Sequence, residues 1–107
     1  MYKINITDTA SSDLRQSALY ITIKLNNKIA AKNLLDAADK EISSLADFPY
    51  RNKLVEDDFL ASIGIRIQIV QNYFVFYVIR EETKTVSILR FLHSRRDWMS
   101  ILKSDNK

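Results

Sequence analysis

The sequence predicts an α+β domain: an N-terminal strand, an antiparallel helical hairpin, a three-stranded antiparallel meander and a short C-terminal helix. Two patterns indicate this fold class. Apolar residues recur every three or four positions over residues 14–45, as on one face of a helix, and every second position over much of residues 65–92, as in strands. With 107 residues, 47% of them hydrophobic, the chain fits one domain over residues 1–107 that buries a core without disulfides or metal.

The first elements are a strand and a helix. Residues 2–6 alternate in the manner of a short strand, and residues 7–9 (TDT) then offer side-chain oxygens that cap a helix N-terminus. The spacing of the next apolar residues is four, three and four, which places them on one helical face: Leu14, Ala18, Ile21 and Leu25. Asn26 and Asn27 interrupt this pattern, so a tight turn is predicted there.

A second helix follows the turn. Its predicted buried stripe consists of Ala30, Leu34, Ala38, Ile42 and Leu45. Pro49 disfavours helical geometry at Phe48 and therefore ends the hairpin. The polar connector of residues 51–61 is long enough for a functional loop or a further helical turn.

The meander begins where isoleucines alternate with Arg66, Gln68 and Val70, which predicts a strand with one buried face made by Ile65, Ile67 and Ile69. Residues 71–72 and 81–84 have turn-like composition and separate the strands predicted at 73–79 and 86–92. Asp97 is placed to cap a terminal helix that packs back on the domain through Trp98, Ile101 and Leu102, leaving residues 104–107 as a frayed tail.

Composition excludes several classes of function. The absence of cysteine removes thiol chemistry and disulfides and predicts a cytoplasmic protein. One histidine gives no paired metal ligands, and one glycine rules out a phosphate-binding glycine loop or a dinucleotide fold, so no metal and no cofactor are expected. No apolar stretch is long enough to predict membrane insertion. The net charge of +3 favours a phosphate-bearing or acidic partner only mildly.

The candidate site is the polar cluster after the last strand. His93, Arg95 and Arg96 follow that strand, and Arg66 and Arg90 belong to the meander, so together they are predicted to form a phosphate-binding concavity. His93 is a candidate acid or base because its ordinary pKa lies near neutrality. The basic residues predicted to contact a nucleic acid or other target are Arg90, Arg96, Arg51 and Lys53.

A structural alternative remains for the same residues. In this alternative, His93 and Asp97 serve only to organise the end of the strand and the start of the helix, and Arg95 or Arg96 pairs with Asp97 or with the acidic residues 56–58. On the helical hairpin, Tyr20, Ile23 and Ile29 lie off the main apolar stripes. Such additional apolar positions suit a groove that receives an amphipathic helix of a partner protein.

The order of elements, with LADFP at residues 45–49 and LHSRRDW at residues 92–98, resembles the RelE/ParE superfamily of bacterial toxins, and the ParE branch most. This resemblance implies a small, microbial-ribonuclease-like α+β toxin of a type II toxin–antitoxin module. It also implies a cognate antitoxin that wraps and neutralises the toxin, with Tyr20, Ile23 and Ile29 as antitoxin-binding candidates.

The resemblance leaves the target open. ParE-like members poison DNA gyrase, whereas RelE-like and YoeB-like members cut messenger RNA on the ribosome, for which His93, Arg95 and Arg66 are the matching catalytic candidates. Two departures favour gyrase: Val70 stands where RelE-like members have a basic residue, and Trp98 and Met99 stand near the expected tyrosine. A third alternative is an inactive relative that binds only its antitoxin or RNA.

Overall fold

The computed structural model describes residues 1–107 and confirms the predicted order of elements. None of its helices combines the length and the apolar character needed to cross a bilayer. The elements are β1 (Lys3–Ile6), α1 (Asp8–Ile23), α2 (Lys28–Ser44), a 3₁₀ turn (Pro49–Arg51), α3 (Asp58–Ile63), β2 (Arg66–Val70), β3 (Tyr73–Arg80), β4 (Thr85–His93) and α4 (Trp98–Asp105).

The four strands form one sheet in the order β1-β4-β3-β2. The meander β2-β3-β4 is antiparallel, and β1 adds to it parallel to β4. Because β1 spans only the first part of β4, the outer edge of β4 is open beyond Ile88. The start of α1 covers this edge, and the Thr7 hydroxyl donates to the Ile88 carbonyl oxygen at 2.8 Å.

Both faces of the sheet are covered, and each has its own apolar core. The hairpin α1/α2 packs on one face, where the buried residues include Leu34, Leu45, Tyr77, Ile88 and Phe91. Helices α3 and α4 pack on the other face, where the buried residues include Leu60, Ile65, Phe76, Leu92 and Leu102. Alternate side chains of β3 and β4 therefore enter different cores, which explains why both strands are apolar almost throughout.

The prediction of a single buried face for β2 is wrong. Val70, on the face expected to be polar, is 1% exposed beneath the hairpin, whereas Ile69 is 61% exposed. The reason is tertiary: α2 reaches over the edge strand on one side, but α3 and α4 leave the end of β2 uncovered on the other.

Two smaller corrections concern the apolar stripes of α1 and α2. Leu25 is 58% exposed because α1 ends at Ile23, before that residue can join the apolar stripe. In α2 the buried stripe contains Ala31 instead of Ala30. The polar connector does hold a helix, α3, which Asp57 caps by accepting from the Leu60 N–H at 3.0 Å, and which ends at Gly64 with φ +96°.

Candidate functional site

His93 is the last residue of β4 and lies on the face covered by α1. It is paired with Tyr73, and the two rings meet edge to face with centroids 5.1 Å apart. Its Nδ1 accepts a hydrogen bond from the Arg95 backbone N–H at 3.1 Å. Since Nδ1 is an acceptor, the neutral imidazole carries its proton on Nε2.

This tautomer limits the chemistry of His93. The Nε2–H is a donor without a protein partner, so the ring is ready to donate to an anion. The same ring cannot act as a base through Nε2 unless it first changes tautomer or loses its contact with Arg95. No group of three or more histidine, cysteine or acidic side chains is arranged to hold a metal ion.

Arg95 and Arg96 follow in the turn after β4, and both are exposed. Neither guanidinium forms a hydrogen bond or an ion pair within the protein. Asp97 instead caps α4 by accepting from the Ser100 N–H at 3.3 Å, and Asp57 pairs with Lys103 at 2.9 Å. The predicted ion pairs of Arg95 or Arg96 with these acidic residues are therefore not formed.

A cleft of about 370 Å³ lies between α1 and the end of β4, and we call it the α1 cleft. It is lined by Asp13, Gln16, Ser17, Tyr20, Tyr73, Phe91, Leu92, His93 and Arg96. Three predicted site residues, His93, Arg96 and Tyr20, thus meet in one place. From the sequence, Tyr20 is expected only on the antitoxin-binding surface of the hairpin. Its proximity to β4 depends on how α1 docks on the sheet, which the spacing of residues does not give.

Arg66 and Arg51 lie away from the α1 cleft, whereas Arg90 lines, together with Arg96, a polar hollow beside the cleft. Arg66 is opposite Tyr77 and His93 is opposite Tyr73, so they are separated by about 13 Å along the strands and by two strands across the sheet. The predicted concavity shared by Arg66 and His93 is consequently wrong. Buried core residues under the hairpin, Val75 among them, fill the space between.

Each of these three guanidiniums is already engaged. Arg66 donates to the Asn52 carbonyl oxygen and lies over the Tyr50 ring, 5.1 Å from its centroid. Arg51 donates to the Gln68 side-chain oxygen at 2.8 Å and to the Ser44 hydroxyl. Arg90 forms ion pairs with acidic residues of α1 and α4, which also orders the C-terminal residues predicted to fray.

A second cleft, of about 610 Å³, opens on the opposite face of the sheet beside β2, and we call it the β2 cleft. Its lining is mostly apolar and comprises Asn52, Lys53, Leu54, Val55, Glu56, Asp57, Ile67, Gln68, Ile69, Phe74, Trp98 and Met99. Lys53 is its single cation. Asp57 stays charged there, because the Leu60 N–H and then Lys103 lower the pKa of its carboxyl. Sequence reasoning missed this cleft, since it joins three segments distant in the chain.

The tip of the helical hairpin carries exposed apolar side chains. Ile23 is 68% and Ile29 75% exposed, and Tyr20 is 56% exposed. The structure adds Leu19 and Leu25, which are 55% and 58% exposed. We call these five residues the hairpin-tip patch. Such clustering of large apolar side chains on a small domain is typical of a protein-binding surface.

Two solved structures that are similar to this fold are described as toxin–antitoxin systems. The chromosomal ParDE system of P. aeruginosa has a TM-score of 0.70 and 15% identity, covering 87% of this chain and 96% of the other. The RelBE2 toxin–antitoxin complex of Mycobacterium tuberculosis has a TM-score of 0.61 and 24% identity, covering 86% and 90%. No curated protein sequence is significantly similar to this chain.

The family comparison agrees with the fold. The family model for the ParE toxin of the type II toxin–antitoxin system, parDE, matches residues 4–98, from β1 to the start of α4. The match includes the hairpin, the whole meander and the cluster at His93, so the resemblance stated from the sequence is confirmed. The chain belongs to the ParE toxin family of type II toxin–antitoxin systems, within the RelE/ParE superfamily.

Proposed function

We propose that this toxin arrests growth by poisoning DNA gyrase and that a cognate antitoxin neutralises it. The observation that carries the choice of target is the apolar lining of the β2 cleft. Trp98 and Met99, which stand near the tyrosine expected of RNA-cleaving relatives, line this cleft together with Ile67 and Ile69. A surface of this composition suits a protein contact better than a phosphate backbone.

RNA cleavage through the 2′-hydroxyl needs a base, an acid and cations at the phosphate. The candidates here do not converge: His93 lies under α1, and Arg66 is bound to Asn52 across the sheet. Val70, aligned with a basic residue of RelE-like members, is buried. Each of these facts supports a toxin that acts by binding its target.

Of the predicted target-binding residues, Lys53, Arg51 and Arg96 are exposed, and Lys53 and Arg96 have no partner within the protein. The catalytic candidate Arg95 is likewise exposed and unpaired. Because Arg95 and Arg96 have no partner in the toxin, they can pair with carboxylates or phosphates of a target at little desolvation cost. Arg51 and Arg90 already hold acceptors of their own, so we propose that they support the target surface from within the fold.

For the antitoxin, we propose the hairpin-tip patch as the main contact. An amphipathic helix presents apolar residues three and four positions apart, which matches the spacing of Leu19 and Ile23 on α1. The two solved relatives are described as toxin–antitoxin systems, which supports a cognate antitoxin as partner of this chain.

The decisive experiment compares two activities of the purified toxin: inhibition of gyrase supercoiling with trapping of cleaved DNA, and cleavage of ribosome-bound messenger RNA. We expect the first activity and not the second. His93→Ala is the diagnostic variant, because loss of a general acid or base lowers a nuclease rate by about a hundredfold or more. Arg80→Ala, at an exposed site on the opposite end of β3, is the control for truncation of a polar side chain outside the candidate site.

Two results would replace the proposal. Cuts in codon register that require ribosomes and disappear in His93→Ala would make the chain an endoribonuclease with His93, Arg95 and Arg66 as catalytic candidates. Failure of the toxin to arrest growth when produced without antitoxin, with neither activity in vitro, would make it an inactive relative.

A further inference from the structure

The α1 cleft holds several polar groups that the fold leaves without partners. The Nε2–H of His93 and the guanidinium of Arg96 are free to donate. Gln16 donates its side-chain N–H to the Ser12 hydroxyl at 3.0 Å, which leaves its oxygen as a free acceptor. Donors, an acceptor and two aromatic side chains, Tyr20 and Tyr73, therefore converge on one cavity.

We propose that the α1 cleft binds a nucleoside phosphate, with the base at Tyr20 and Tyr73 and the phosphate at Arg96. The inference does not depend on the choice of gyrase as target. It concerns the face of the sheet opposite the β2 cleft, where the proposed function finds its main support.

The phosphate position follows from the charges around Arg96. A polar hollow of about 460 Å³ continues the α1 cleft along α1, and both cavities share Asp13, Gln16 and Arg96. Arg90 pairs with the Asp13 carboxylate at 2.7 Å but also with Asp105, and Asp8, which lines the polar hollow, has no partner. We therefore place the phosphate on the α1-cleft side of Arg96, away from Asp8. Arg96 is then the unpaired charge of the junction, and a guanidinium binds phosphate through two parallel hydrogen bonds.

The base position follows from the other end of the cleft. Tyr73 is fixed by stacking on Phe91, with centroids 4.8 Å apart, and Tyr20 rises from α1 on the opposite wall. A nucleobase needs such aromatic contacts and a mixed set of donors and acceptors at its edge. The His93 Nε2–H and the Gln16 oxygen supply one of each.

The size and composition also distinguish a nucleotide from an acidic peptide. A volume of about 370 Å³ is within the range of small-molecule sites. A carboxylate side chain would use Arg96 but would leave the aromatic walls and Gln16 unmatched. The nucleoside phosphate can come from a free nucleotide or from one unit of a single strand, and the two sources share the same contacts.

The test is an NMR titration of ¹⁵N-labelled toxin with adenosine 5′-monophosphate, and separately with a 5′-phosphorylated single-stranded pentanucleotide. We expect saturable shifts at Gln16, Tyr20 and His93 with at least one of the two probes. Stronger binding of the mononucleotide identifies a free ligand, and stronger binding of the pentanucleotide identifies a strand. Both outcomes support the site.

Matched variants locate the contacts. Arg96→Ala should weaken binding by about tenfold, since it removes a charge-assisted hydrogen bond, while Arg80→Ala should leave it unchanged. Tyr20→Ser should weaken binding by about fivefold or more through lost base contacts, and Phe59→Ser, at a similarly exposed aromatic on α3, should not. The spectrum of each free variant shows whether it is folded.

Three results would overturn the proposal: no saturable shift with either probe, equal affinity for inorganic phosphate and for adenosine monophosphate, or tighter binding of a tetraglutamate peptide than of both probes. None of these results bears on gyrase, because supercoiling is measured separately. A toxin that poisons gyrase but fails this titration loses only the nucleotide site.

Discussion

Asp13 of α1 and Arg90 of β4 form a two-pronged ion pair, with Nε to Oδ2 at 2.7 Å and Nη2 to Oδ1 at 3.0 Å. The same carboxylate accepts from the Phe91 N–H at 3.1 Å, at the edge of β4 that β1 leaves open. Arg90 also reaches Asp105 of α4 at 3.1 Å. The Arg90 guanidinium thus joins both helical layers to the sheet. Its hydrogen bonds to Asp13 raise the pKa of Arg90 above the ordinary value of an arginine.

Breaking this pair should destabilise the toxin strongly. The side chains are only 15% and 11% exposed, so Arg90→Ala leaves a nearly buried carboxylate and should lower the free energy of unfolding by about 3 kcal/mol. Urea denaturation measures the change. Asp36→Ala is the control, because its pair with Lys32 is solvent-exposed and should add little to stability. Equal effects of the two variants would contradict the assignment.

Tyr77 gives a second stability test. Its buried hydroxyl donates to the Pro49 carbonyl oxygen at 2.7 Å and accepts from Asn52 at 3.2 Å, so it ties the end of the hairpin to β3. Tyr77→Phe should cost about 1–2 kcal/mol because both partners lose a buried hydrogen bond. Thermal unfolding is the measurement, and Tyr20→Phe, whose side chain is largely exposed, should be nearly neutral.

The tautomer of His93 is directly observable. A two-bond ¹H–¹⁵N spectrum at pH 8 should show the proton on Nε2 and a bare Nδ1, because Nδ1 accepts from the Arg95 N–H. His93→Asn retains an acceptor near that position, so it should preserve the slow amide exchange of Arg95 better than His93→Ala does. A proton found on Nδ1 would show that the contact is not formed in solution.

A tyrosine–glutamate cluster should make stability depend on pH at both extremes. Glu81 accepts from Tyr2, Tyr50 and Lys84, and these contacts, that with Lys84 first, lower its pKa to about 2. Hydrogen bonding to Glu81 in turn raises the pKa of Tyr50 to about 12. The cluster joins Tyr2, just before β1, to the 3₁₀ turn and the β3–β4 turn.

The two shifts act in opposite pH ranges. Glu81 has an unfolded pKa near 4.5, so its contribution is present above that pH and is lost as the pH falls towards 2. Tyr50 contributes below pH 10 and loses its contribution between pH 10 and 12. Solvent exposure keeps both effects small. Tyr50→Phe should flatten the alkaline melting-temperature profile, and Glu81→Gln should flatten the acid one; unchanged profiles would rule the cluster out as their cause.

The hairpin-tip patch predicts a binding defect without a folding defect. Ile23→Asp introduces a charge at a side chain that is 68% exposed, so the melting temperature should change little. Affinity for the cognate antitoxin, measured by calorimetry, should fall by about tenfold or more if Ile23 is a central contact. Ile69→Asp, at a similarly exposed isoleucine on β2, is the control and should bind antitoxin normally.

The candidate site shows where sequence reasoning reaches its limit. His93, Arg95 and Arg96 are adjacent in the chain, so their proximity was predictable from the end of one strand. Arg66 was grouped with them because it belongs to the meander and because it matches an arginine of YoeB-like toxins. The position of Arg66 relative to His93 depends on the order and register of the strands. These are set by contacts between strands and cannot be inferred from the residues of one strand.

By itself, the sequence determined the order of elements and the family. It also determined where three helices begin, at the N-caps Thr7, Asn27 and Asp97. Caps, turns and apolar periodicity are local properties of the chain. Tertiary structure decided which basic residues are free. Arg90 finds acidic partners 77 and 15 residues away, whereas Arg95 and Arg96 find none. Ion pairing requires side chains to meet in space, and only the packing of α1 and α4 on opposite faces of the sheet brings those charges together.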